Sequence, residues 1–465
     1  MLALLLIGLY TTAYKTQPVW SEPATITVPD DYSTIQEAIN AANPGDTVLA
    51  RSNTYYQNVV ANKTLILVGE AAETTLIDGN GTGLVVEIAA SNVTISGFTV
   101  QNGDSGISAI GNIHGHNISN NIIANNTRGI HLVSSSNNMI SQNIITNNTK
   151  GLLLSSSSHN HILDSLMDNN EYGFDIRGDE LGHFLHMIET SNLVNGKPVY
   201  YLVNQTDFAL NQTSHPETGY LGLVNCVNAT VTNLTLRDNV QGLLLAYTNG
   251  SQISGNNITD NQYGVWLYSS SDNTLSGNNI TSNDSGIQLS RSLRNLLSGN
   301  NITNNDDGIW LLSSSNNTLS ENTIIDSRTG IYFSSSSDNR IFENTISEDN
   351  ADITSIYGVD FLESSNNTML GNDITGYSNG IYMYNSSDNT IFENNFTNNT
   401  IGLHLDHSSG NTVSKSSFVD NRFGVNLDGS SNNILYENTI SANDFDGIDF
   451  FESPQNTVSR NNITS

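Results

Sequence analysis

The sequence is poor in cysteine and in basic residues, and each scarcity excludes a class of protein. It contains one cysteine, Cys226, which excludes an intrachain disulfide framework and any CxxC metal or redox site. Its 15 Lys and Arg residues stand against 45 Asp and Glu residues, which gives a net charge of −30. Nucleic acids, anionic membranes and polyanionic substrates are therefore poor partners, because binding phosphate groups requires clustered basic side chains.

Charged residues of either sign are also scarce, at 13% of the chain. The polarity of the chain is therefore carried by neutral side chains, and Asn is conspicuous among them. The Ile, Leu and Val residues recur too regularly for a disordered chain.

The sequence lacks an apolar run long enough to cross a bilayer. The run Leu2–Leu9 has the length of a signal-peptide core, so residues 1–24 are predicted to be a signal peptide that is cleaved between Ala13 and Ala24. This predicts a secreted or cell-surface protein with no membrane insertion after cleavage. About 20 N-x-S/T sequons, Asn92 and Asn257 among them, suggest a glycoprotein, although Asn-rich repeats also generate sequons by chance.

What the chain does have is an internal repeat. Glycines that open a G-Φ-x-Φ tetrad, where Φ is apolar, recur at a spacing of about 22 residues, which is typical of solenoid repeats. The interval from Gly330 to Gly358 is longer, which predicts a six-residue insertion. The interval from Gly173 to Gly242 is roughly three times the regular one, so this segment is expected to continue the array in degenerate form. The tetrad glycines are Gly106, Gly129, Gly151, Gly173, Gly242, Gly264, Gly286, Gly308, Gly330, Gly358, Gly380, Gly402, Gly424 and Gly447.

The unit that begins at Gly264 shows the pattern, with apolar residues at offsets 1, 3, 11 and 16 from the glycine. It contains three short alternating stretches separated by Asn, Ser, Asp and Gly. Period-two alternation predicts strands, and the separating residues predict turns. Because such strands are too short to be stable alone, the repeat predicts an all-β fold, a parallel β-helix whose stacked turns bury a continuous core.

Asn recurs at one fixed position of the unit, which predicts an internal ladder. Asn tolerates the left-handed backbone conformation of tight corners, and stacked Asn side chains can hydrogen-bond along the axis. The role of this column is therefore predicted to be structural. The column comprises Asn273, Asn317, Asn339, Asn367, Asn389, Asn411 and Asn433.

The segment Ser33–Asn43 predicts an amphipathic helix that caps the first turn, because the ends of a solenoid expose strand edges. Ser33 and Gln36 are expected to form a capping box, and Pro44 and Gly45 end the helix. The apolar face of the helix comprises Ile35, Ala38, Ile39 and Ala42.

Three segments carry a resemblance to known proteins. Val28–Val48 (VPDDYSTIQEAINAANPGDTV) resembles the N-terminal cap of the secreted pectin-lyase-like superfamily. The repeats are similar to the NosD-like, carbohydrate-binding and sugar-hydrolysis (CASH) group, and Asn195–Asp207 and Leu223–Leu236 resemble the irregular turns of NosD-like proteins. The resemblance implies a right-handed helix. It leaves function open, because the superfamily includes hydrolases, lyases, epimerases and copper-site maturation factors.

The predicted organisation follows from the repeat and the cap. After the signal peptide it comprises a cap with the first turns (25–103), regular turns (104–173), degenerate turns with loop insertions (174–241) and further regular turns (242–465). No C-terminal counterpart of the cap is present in the pattern, so the last turn is expected to be uncapped or the chain truncated.

The residues at offsets 2 and 4 from each glycine are predicted to point outward and to bind carbohydrate. Turns are about 4.8 Å apart, so Trp266 and Trp310 would be exposed about 10 Å apart along the axis, close to a disaccharide repeat. Aromatic rings stack on sugars while carboxylates bind hydroxyls, although β-propensity alone also enriches aromatic residues on a sheet. The predicted binding residues are Trp266, Tyr268, Trp310, Tyr332, Asp360, Tyr382 and Tyr384.

A glycoside hydrolase on the same face is the alternative, and Asp406, Asp428 and His404 are its predicted catalytic residues. Asp406 and Asp428 occupy the same offset in successive turns, so their carboxylates could lie about 5 Å apart, as in retaining enzymes. Such proximity would raise one carboxyl pKa and allow an acid role. The competing interpretation is a solvated acidic edge.

Metal binding has weaker support in the sequence. His114 with His116, and His159 with His161, are pairs that could share a strand face, while His183, His186 and Met187 lie in the degenerate segment. Copper accepts His and Met ligands, but three never converge in sequence, so a copper site is disfavoured and no cofactor is required. Calcium at Asp and Asn corners is more plausible but diffuse.

The predicted function is therefore carbohydrate binding by a secreted or cell-surface β-helix. Two alternatives remain open, a polysaccharide-degrading hydrolase and a structural or adhesive envelope protein. A NosD-type copper-site maturation factor is disfavoured. The pattern leaves the glycan, the anchoring and the oligomeric state unspecified.

Overall fold

The computed structural model describes residues 22–348 and 356–464. Nearly all of the predicted signal peptide, and most of the segment expected to hold the insertion before Gly358, lie outside the described residues. The described chain is an all-β right-handed parallel β-helix of about 20 turns, as the repeat and the resemblance predict. No helix in this part of the chain is long and apolar enough to cross a membrane.

Parallel strands form three faces along the axis, each interrupted at the degenerate segment, and most turns contribute one strand to each face. We call the sheet that contains the tetrad glycines the front sheet, followed in chain order by the second and third sheets. The front strands are Val59–Ala61, Leu84–Ile88, Ser105–Ile110, Arg128–Val133, Lys150–Ser155 and Tyr172–Arg177, then Lys197–Val203, Tyr220–Val224, Gln241–Ala246, Tyr263–Tyr268, Ser285–Ser290, Asp307–Leu312, Thr329–Ser334, Tyr357–Leu362, Asn379–Tyr384, Ile401–Asp406, Phe423–Asp428 and Ile448–Phe451.

The second and third sheets are made of shorter strands. The second sheet comprises Thr25–Val28, Thr47–Ala50, Ile66–Gly69, Thr94–Ser96, Asn117–Ser119, Met139–Ser141, His161–Leu163 and Met187–Ile188, then Ala209–Asn211, Thr230–Thr232, Gln252–Ser254, Thr274–Ser276, Leu296–Ser298, Thr318–Ser320, Arg340–Phe342, Thr368–Leu370, Thr390–Phe392, Thr412–Ser414, Ile434–Tyr436 and Thr457–Ser459. The third sheet comprises Asn53–Tyr56, Thr75–Asp78, Thr99–Gln101, Ile122–Ala124, Ile144–Thr146, Leu166–Asp168 and Leu193–Val194, then Thr235–Arg237, Asn257–Thr259, Asn279–Thr281, Asn301–Thr303, Thr323–Ile325, Thr345–Ser347, Asp373–Thr375, Asn395–Thr397, Ser417–Val419, Thr439–Ser441 and Asn462–Thr464.

The front strands place apolar side chains inside, as the alternation predicts. In Asp307–Leu312, Ile309 and Leu311 are fully buried while Trp310 is half-buried on the outer face. Gly308 also faces inward, where a Cβ atom would lie only 2.5 Å from the carbonyl oxygen of Gly330 on the next turn. The tetrad glycine is therefore required because there is no room for a side chain.

The predicted Asn ladder is confirmed, and it also includes Asn295. The Nδ2 of Asn273 donates to the Oδ1 of Asn295 at 3.1 Å, and Asn295 donates in the same way to Asn317 at 3.1 Å. A second buried ladder runs through Asn300 and Asn322, whose side chains bond at 2.9 Å. Such ladders satisfy the amide groups that the narrow core encloses, since a buried unpaired polar group costs free energy.

The cap helix comprises Ile35–Ala41, and its predicted apolar face is buried. The predicted capping box is wrong by one position. The Oγ1 of Thr34 accepts from the amide of Glu37 at 3.1 Å, and the Glu37 carboxylate accepts from the amide of Thr34 at 3.2 Å. The helix therefore begins at Ile35, whereas a box formed by Ser33 and Gln36 would start it one residue earlier.

The winding is interrupted in the degenerate segment. A short 3₁₀ helix, Leu181–Phe184, follows the sixth front strand, and Leu193–Val194 pairs antiparallel with Lys197–Val203 before parallel stacking resumes. The ends of two side chains, Lys150 and Arg177, reach the Oε1 of Gln262 at 2.8 and 3.2 Å. We call this region the junction, because it joins two sections of the helix.

Candidate functional site

The outer face of the front sheet carries the predicted binding residues in continuous register. Trp310 pairs with Tyr332, Tyr332 with Asp360, and Asp360 with Tyr382 on successive strands. Each of these side chains is half-buried, and Tyr384 beside them is 37% exposed. The structure therefore brings these five predicted residues together on one surface.

A sixth residue, Tyr357, belongs to the same surface and was missed in the sequence. Its ring stacks on that of Tyr382 with centroids 5.1 Å apart and an interplanar angle of 20°. Tyr357 immediately precedes a tetrad glycine, and the two residues after it are both buried. The position thus breaks the period-two alternation, which is why offsets counted from the glycine did not include it. We call Trp310, Tyr332, Tyr357, Asp360, Tyr382 and Tyr384 the central stripe.

The carboxyl group of Asp360 lies among these rings. No hydrogen bond or ion pair joins Asp360 to another residue in the described part of the chain. Burial, together with the negative charge of Asp307 two strands away, raises the pKa of Asp360 to about 7. Asp360 can therefore be protonated at neutral pH. The sequence prediction had placed such a raised carboxyl pKa in the pair Asp406 and Asp428 instead.

Asp307 differs from Asp360 because it has a cationic neighbour. Arg328 Nη2 lies 3.6 Å from Asp307 Oδ1, and Arg328 Nε lies 2.8 Å from Asp306. Burial still raises the pKa of Asp307, although Arg328 opposes the shift. Like Tyr357, Asp307 immediately precedes a tetrad glycine.

Asp406 and Asp428 do face each other on adjacent strands, as their shared offset predicts. Burial would raise the pKa of Asp406, but hydrogen bonds from His407 and from the hydroxyl of Tyr382, at 2.8 Å, lower it overall. The reason given above for an acid role in this pair is therefore wrong for Asp406, whose ionised form is stabilised. Asp406 is better suited to act as a base, or to accept a hydrogen bond from a sugar hydroxyl group.

His404 is on the same strand as Asp406 and pairs with Tyr382 on the adjacent strand. Its ring centroid is 5.2 Å from that of Tyr382, and burial lowers its pKa although Asp406 and Asp428 oppose the shift. Its Nε2 is buried and has no hydrogen-bond partner among the described residues. His407, which the sequence did not single out, is the histidine that bonds to Asp406.

Trp266 and Tyr268 are in the predicted register but are not exposed as expected. Their exposed fractions are 7% and 6%. Phe184 of the 3₁₀ helix covers them, with ring centroids 6.5 Å from Trp266 and 5.3 Å from Tyr268. The expectation of an exposed Trp266 is wrong because the junction folds over this end of the sheet, which a repeat period cannot show.

A comparison with protein families accounts for most of this architecture. The model of the family described as periplasmic copper-binding protein (NosD) matches residues 185–356 and 347–465, which together exceed half of the chain. The chain belongs to the NosD family. A model of a right-handed β-helix region matches residues 46–212 of this NosD-family chain. No curated protein sequence matches it.

Several solved structures are distantly similar to this NosD-family chain. The A-module of the Azotobacter vinelandii mannuronan C-5 epimerase AlgE4 is 19% identical, with 76% of this chain and 94% of that chain covered and a TM-score of 0.31. The periplasmic alginate epimerase AlgG is 13% identical, with 80% and 82% covered and a TM-score of 0.32. The catalytic domain of a GH87 α-1,3-glucanase is 14% identical, with 96% and 70% covered and a TM-score of 0.29. Likenesses this distant carry no argument about function.

Copper, which the family description names, would require several converging His or Met ligands. Among residues 22–348 and 356–464, no group of three or more His, Cys, Asp or Glu side chains could hold a metal ion. His116 is buried while His114 is exposed, and His186 is buried while Met187 is 58% exposed. The His and Met candidates of these two segments are therefore divided between the interior and the surface and do not form a common ligand set.

Proposed function

We propose that this protein is a secreted or cell-surface protein that binds carbohydrate along the central stripe. The observation that carries the proposal is a row of half-buried aromatic rings on one rigid sheet, with Asp360 and Asp406 among them. Sugar rings stack on aromatic faces, and carboxylates accept bonds from hydroxyls.

The size of the stripe suits a chain of sugars. Trp310 and Tyr382 are separated by three strand spacings, or about 14 Å along the axis. The rings are held by backbone pairing on both sides, so binding would require little ordering of the protein. Low ordering cost favours affinity from a small number of contacts.

Affinity electrophoresis of the full chain through gels containing different polysaccharides tests the proposal. We expect retardation by at least one polysaccharide, and we expect Trp310→Ala and Tyr382→Ala each to weaken it about tenfold, the loss of one stacking platform. Tyr56→Ala is the matched control, because Tyr56 is a 75% exposed tyrosine on the third sheet. Equal mobility of all variants on every polysaccharide would contradict the proposal and favour a structural or adhesive role.

Glycoside hydrolysis on the same stripe is a second candidate, supported by the different environments of Asp360 and Asp406. The pKa of Asp360 is raised to about 7 by burial first and by Asp307 second. Burial also raises the pKa of Asp406, but its hydrogen bonds from His407 and Tyr382 offset this and leave it lowered. Two carboxyl groups with pKa values shifted apart match the acid and the base of a glycosidase.

The two groups would have distinct roles in such a reaction. Their strands are two spacings apart and Asp406 lies two positions further along its strand, so their Cα atoms are about 12 Å apart. Only the wider carboxyl separation of inverting enzymes, with a water molecule between the two groups, could suit this pair. Asp360 would protonate the leaving oxygen, and Asp406 would take the proton of the attacking water. In this assignment Asp406 is the base, and its partner is Asp360 instead of the predicted Asp428.

Release of new reducing ends from a retained polysaccharide distinguishes hydrolysis from binding alone. A hydrolase would lose turnover in Asp360→Asn while keeping electrophoretic retardation. Asp428→Asn is the matched control, since Asp428 is not assigned a role in the proton transfers. Retardation without reducing ends in the wild type would exclude hydrolysis and leave the binding proposal intact.

A further inference from the structure

The junction brings together residues that an unbroken solenoid would keep apart. Arg291 Nη1 donates to the carbonyl oxygen of Asp179 at 3.3 Å, although 112 residues separate them. This separation corresponds to about five turns, or roughly 24 Å along a regular axis. The contact exists because the segment after the sixth front strand packs against the front sheet of the C-terminal section, where Phe184 contacts Trp266 and Tyr268.

A pocket of about 420 Å³ lies at the junction, and its volume is within the range of small-ligand sites. We call it the junction pocket. Its walls include Tyr263, Trp266, Tyr268, Arg177, Arg291 and Gln288. The Trp266 ring lies 6.0 Å from that of Tyr263 and 5.7 Å from that of Tyr268, between ring centroids. The walls thus combine stacking surfaces with two cations.

The two guanidinium groups are unusual in a chain with a net charge of −30. Arg177 pairs with Asp175 through Nε at 2.8 Å. Arg291 has no carboxylate partner in the described chain, and only its Nη1 makes hydrogen bonds there, to Asp179 and to the hydroxyl of Tyr268 at 2.8 Å. The Nε and Nη2 groups of Arg291 therefore form a planar pair of donors that a carboxylate would match.

The carboxylate of Asp179, whose carbonyl oxygen accepts from Arg291, does not fill this role. Asp179 lines the pocket, but its Oδ1 pairs with His183 Nδ1 at 2.8 Å. No carboxylate oxygen of the described residues lies within ion-pair distance of Arg291, so an anionic ligand would supply a partner that the pocket does not.

Gln288 supplies an independent sign of a missing ligand. Its side chain is only 7% exposed and lines the pocket. Its Nε2 donates to Ser290 Oγ at 3.2 Å, whereas its Oε1 is buried and accepts no hydrogen bond from any described residue. A buried acceptor without a donor is destabilising, so a ligand that donates from a hydroxyl group would relieve this cost.

We propose that the junction pocket binds a monoanionic sugar residue, with its carboxylate on Arg291, a hydroxyl donating to Gln288 and its apolar face against Trp266. The proposal does not depend on the central stripe, which begins two strands after Trp266. A carboxylate could also come from a free small acid, and the experiment separates this source from a sugar.

Titration of the full chain with glucuronic acid, followed by tryptophan fluorescence, tests the proposal. The chain carries Trp20→Phe and Trp310→Phe, so that Trp266 is the remaining tryptophan. We expect saturable quenching of Trp266 by glucuronic acid, and at least tenfold weaker binding of glucose, which lacks the anion, and of acetate, which lacks the ring. Equal binding of acetate and glucuronic acid would overturn the sugar assignment. Equal binding of glucose would overturn the role of the anion.

Three variants make the test specific to the pocket. Arg291→Gln is expected to weaken glucuronic acid binding at least tenfold, and Arg291→Lys, which keeps the charge but loses the planar donors, should be intermediate. Arg340→Gln removes the same charge from an exposed strand position on the second sheet and should change nothing. Unchanged affinity in Arg291→Gln, with a wild-type circular dichroism spectrum, would overturn the proposal. The fluorescence signal comes from Trp266 alone, because Trp310 is replaced. Binding or its absence at the central stripe therefore does not determine this result.

Discussion

Replacing Asn322 by Leu should remove four hydrogen bonds from the interior ladder. The Asn322 Oδ1 accepts from the backbone amide and the Nδ2 of Asn300, at 3.1 and 2.9 Å. Its Nδ2 donates to the carbonyl oxygen of Leu297 and to Asn344 Oδ1, both at 2.9 Å. The side chain is 1% exposed, so water cannot replace these partners.

The free energy of unfolding should fall by roughly 4 kcal/mol, at about 1 kcal/mol of net stabilisation for each bond. The groups of Asn300, Leu297 and Asn344 that stay buried without a partner would add to this cost. Leucine has the same number of non-hydrogen side-chain atoms but is bulkier, so the strain of fitting it into the narrow core would add to this loss. The effect should be concentrated in the neighbouring turns, because each turn of a solenoid contacts only the adjacent ones.

Urea unfolding followed by circular dichroism measures the overall loss, and native-state hydrogen exchange of the Asn300 amide measures the local one. Asn301→Leu is the matched control, because Asn301 is exposed on the third sheet and its side-chain amide donates to Asn279 alone among the described residues. The control should differ from the wild type by less than about 0.5 kcal/mol. The reasoning is refuted if Asn322→Leu loses no more stability than Asn301→Leu and the Asn300 amide keeps its protection.

Three further predictions concern the glycine column, the junction and Asp360. Gly308→Ala should destabilise the chain, since its Cβ would lie 2.5 Å from the Gly330 carbonyl oxygen, whereas Gly182→Ala, with nothing within 4 Å of the added atom, should have little effect on the thermal midpoint. Phe184→Ala should open the junction at a cost of about 3–5 kcal/mol and shift the emission of Trp266 to longer wavelength, and an unchanged spectrum would contradict the packing described. Burial first, and Asp307 second, raise the pKa of Asp360 to about 7, so its contribution to stability is present below the unfolded pKa of about 4 and is lost as pH rises to 7. Comparing urea midpoints across this interval, the wild type should lose stability relative to Asp360→Asn, and parallel curves would argue against the shift.

The sequence by itself determines the repeating core of this protein. The regular interval between glycines, the apolar offsets and the Asn column each depend on contacts with the adjacent turn, so the local pattern is sufficient to predict them. The same reasoning correctly places Trp310, Tyr332, Asp360, Tyr382 and Tyr384 on one face. The predicted N-cap of the cap helix is wrong by only one residue, because Ser33 and Thr34 are both capable of the N-cap role.

The tertiary structure alone decides what lies over that face and what charge its groups carry. Trp266 is covered by Phe184 because the degenerate segment breaks the period, and nothing in a periodic pattern specifies where an aperiodic segment returns. The pKa of Asp360 depends on how far its neighbours bury it and on Asp307 two turns away, which the offset count had not placed on the surface. The junction pocket depends on residues as far apart as Arg177 and Arg291, which meet only because the degenerate segment packs on the front sheet of the C-terminal section.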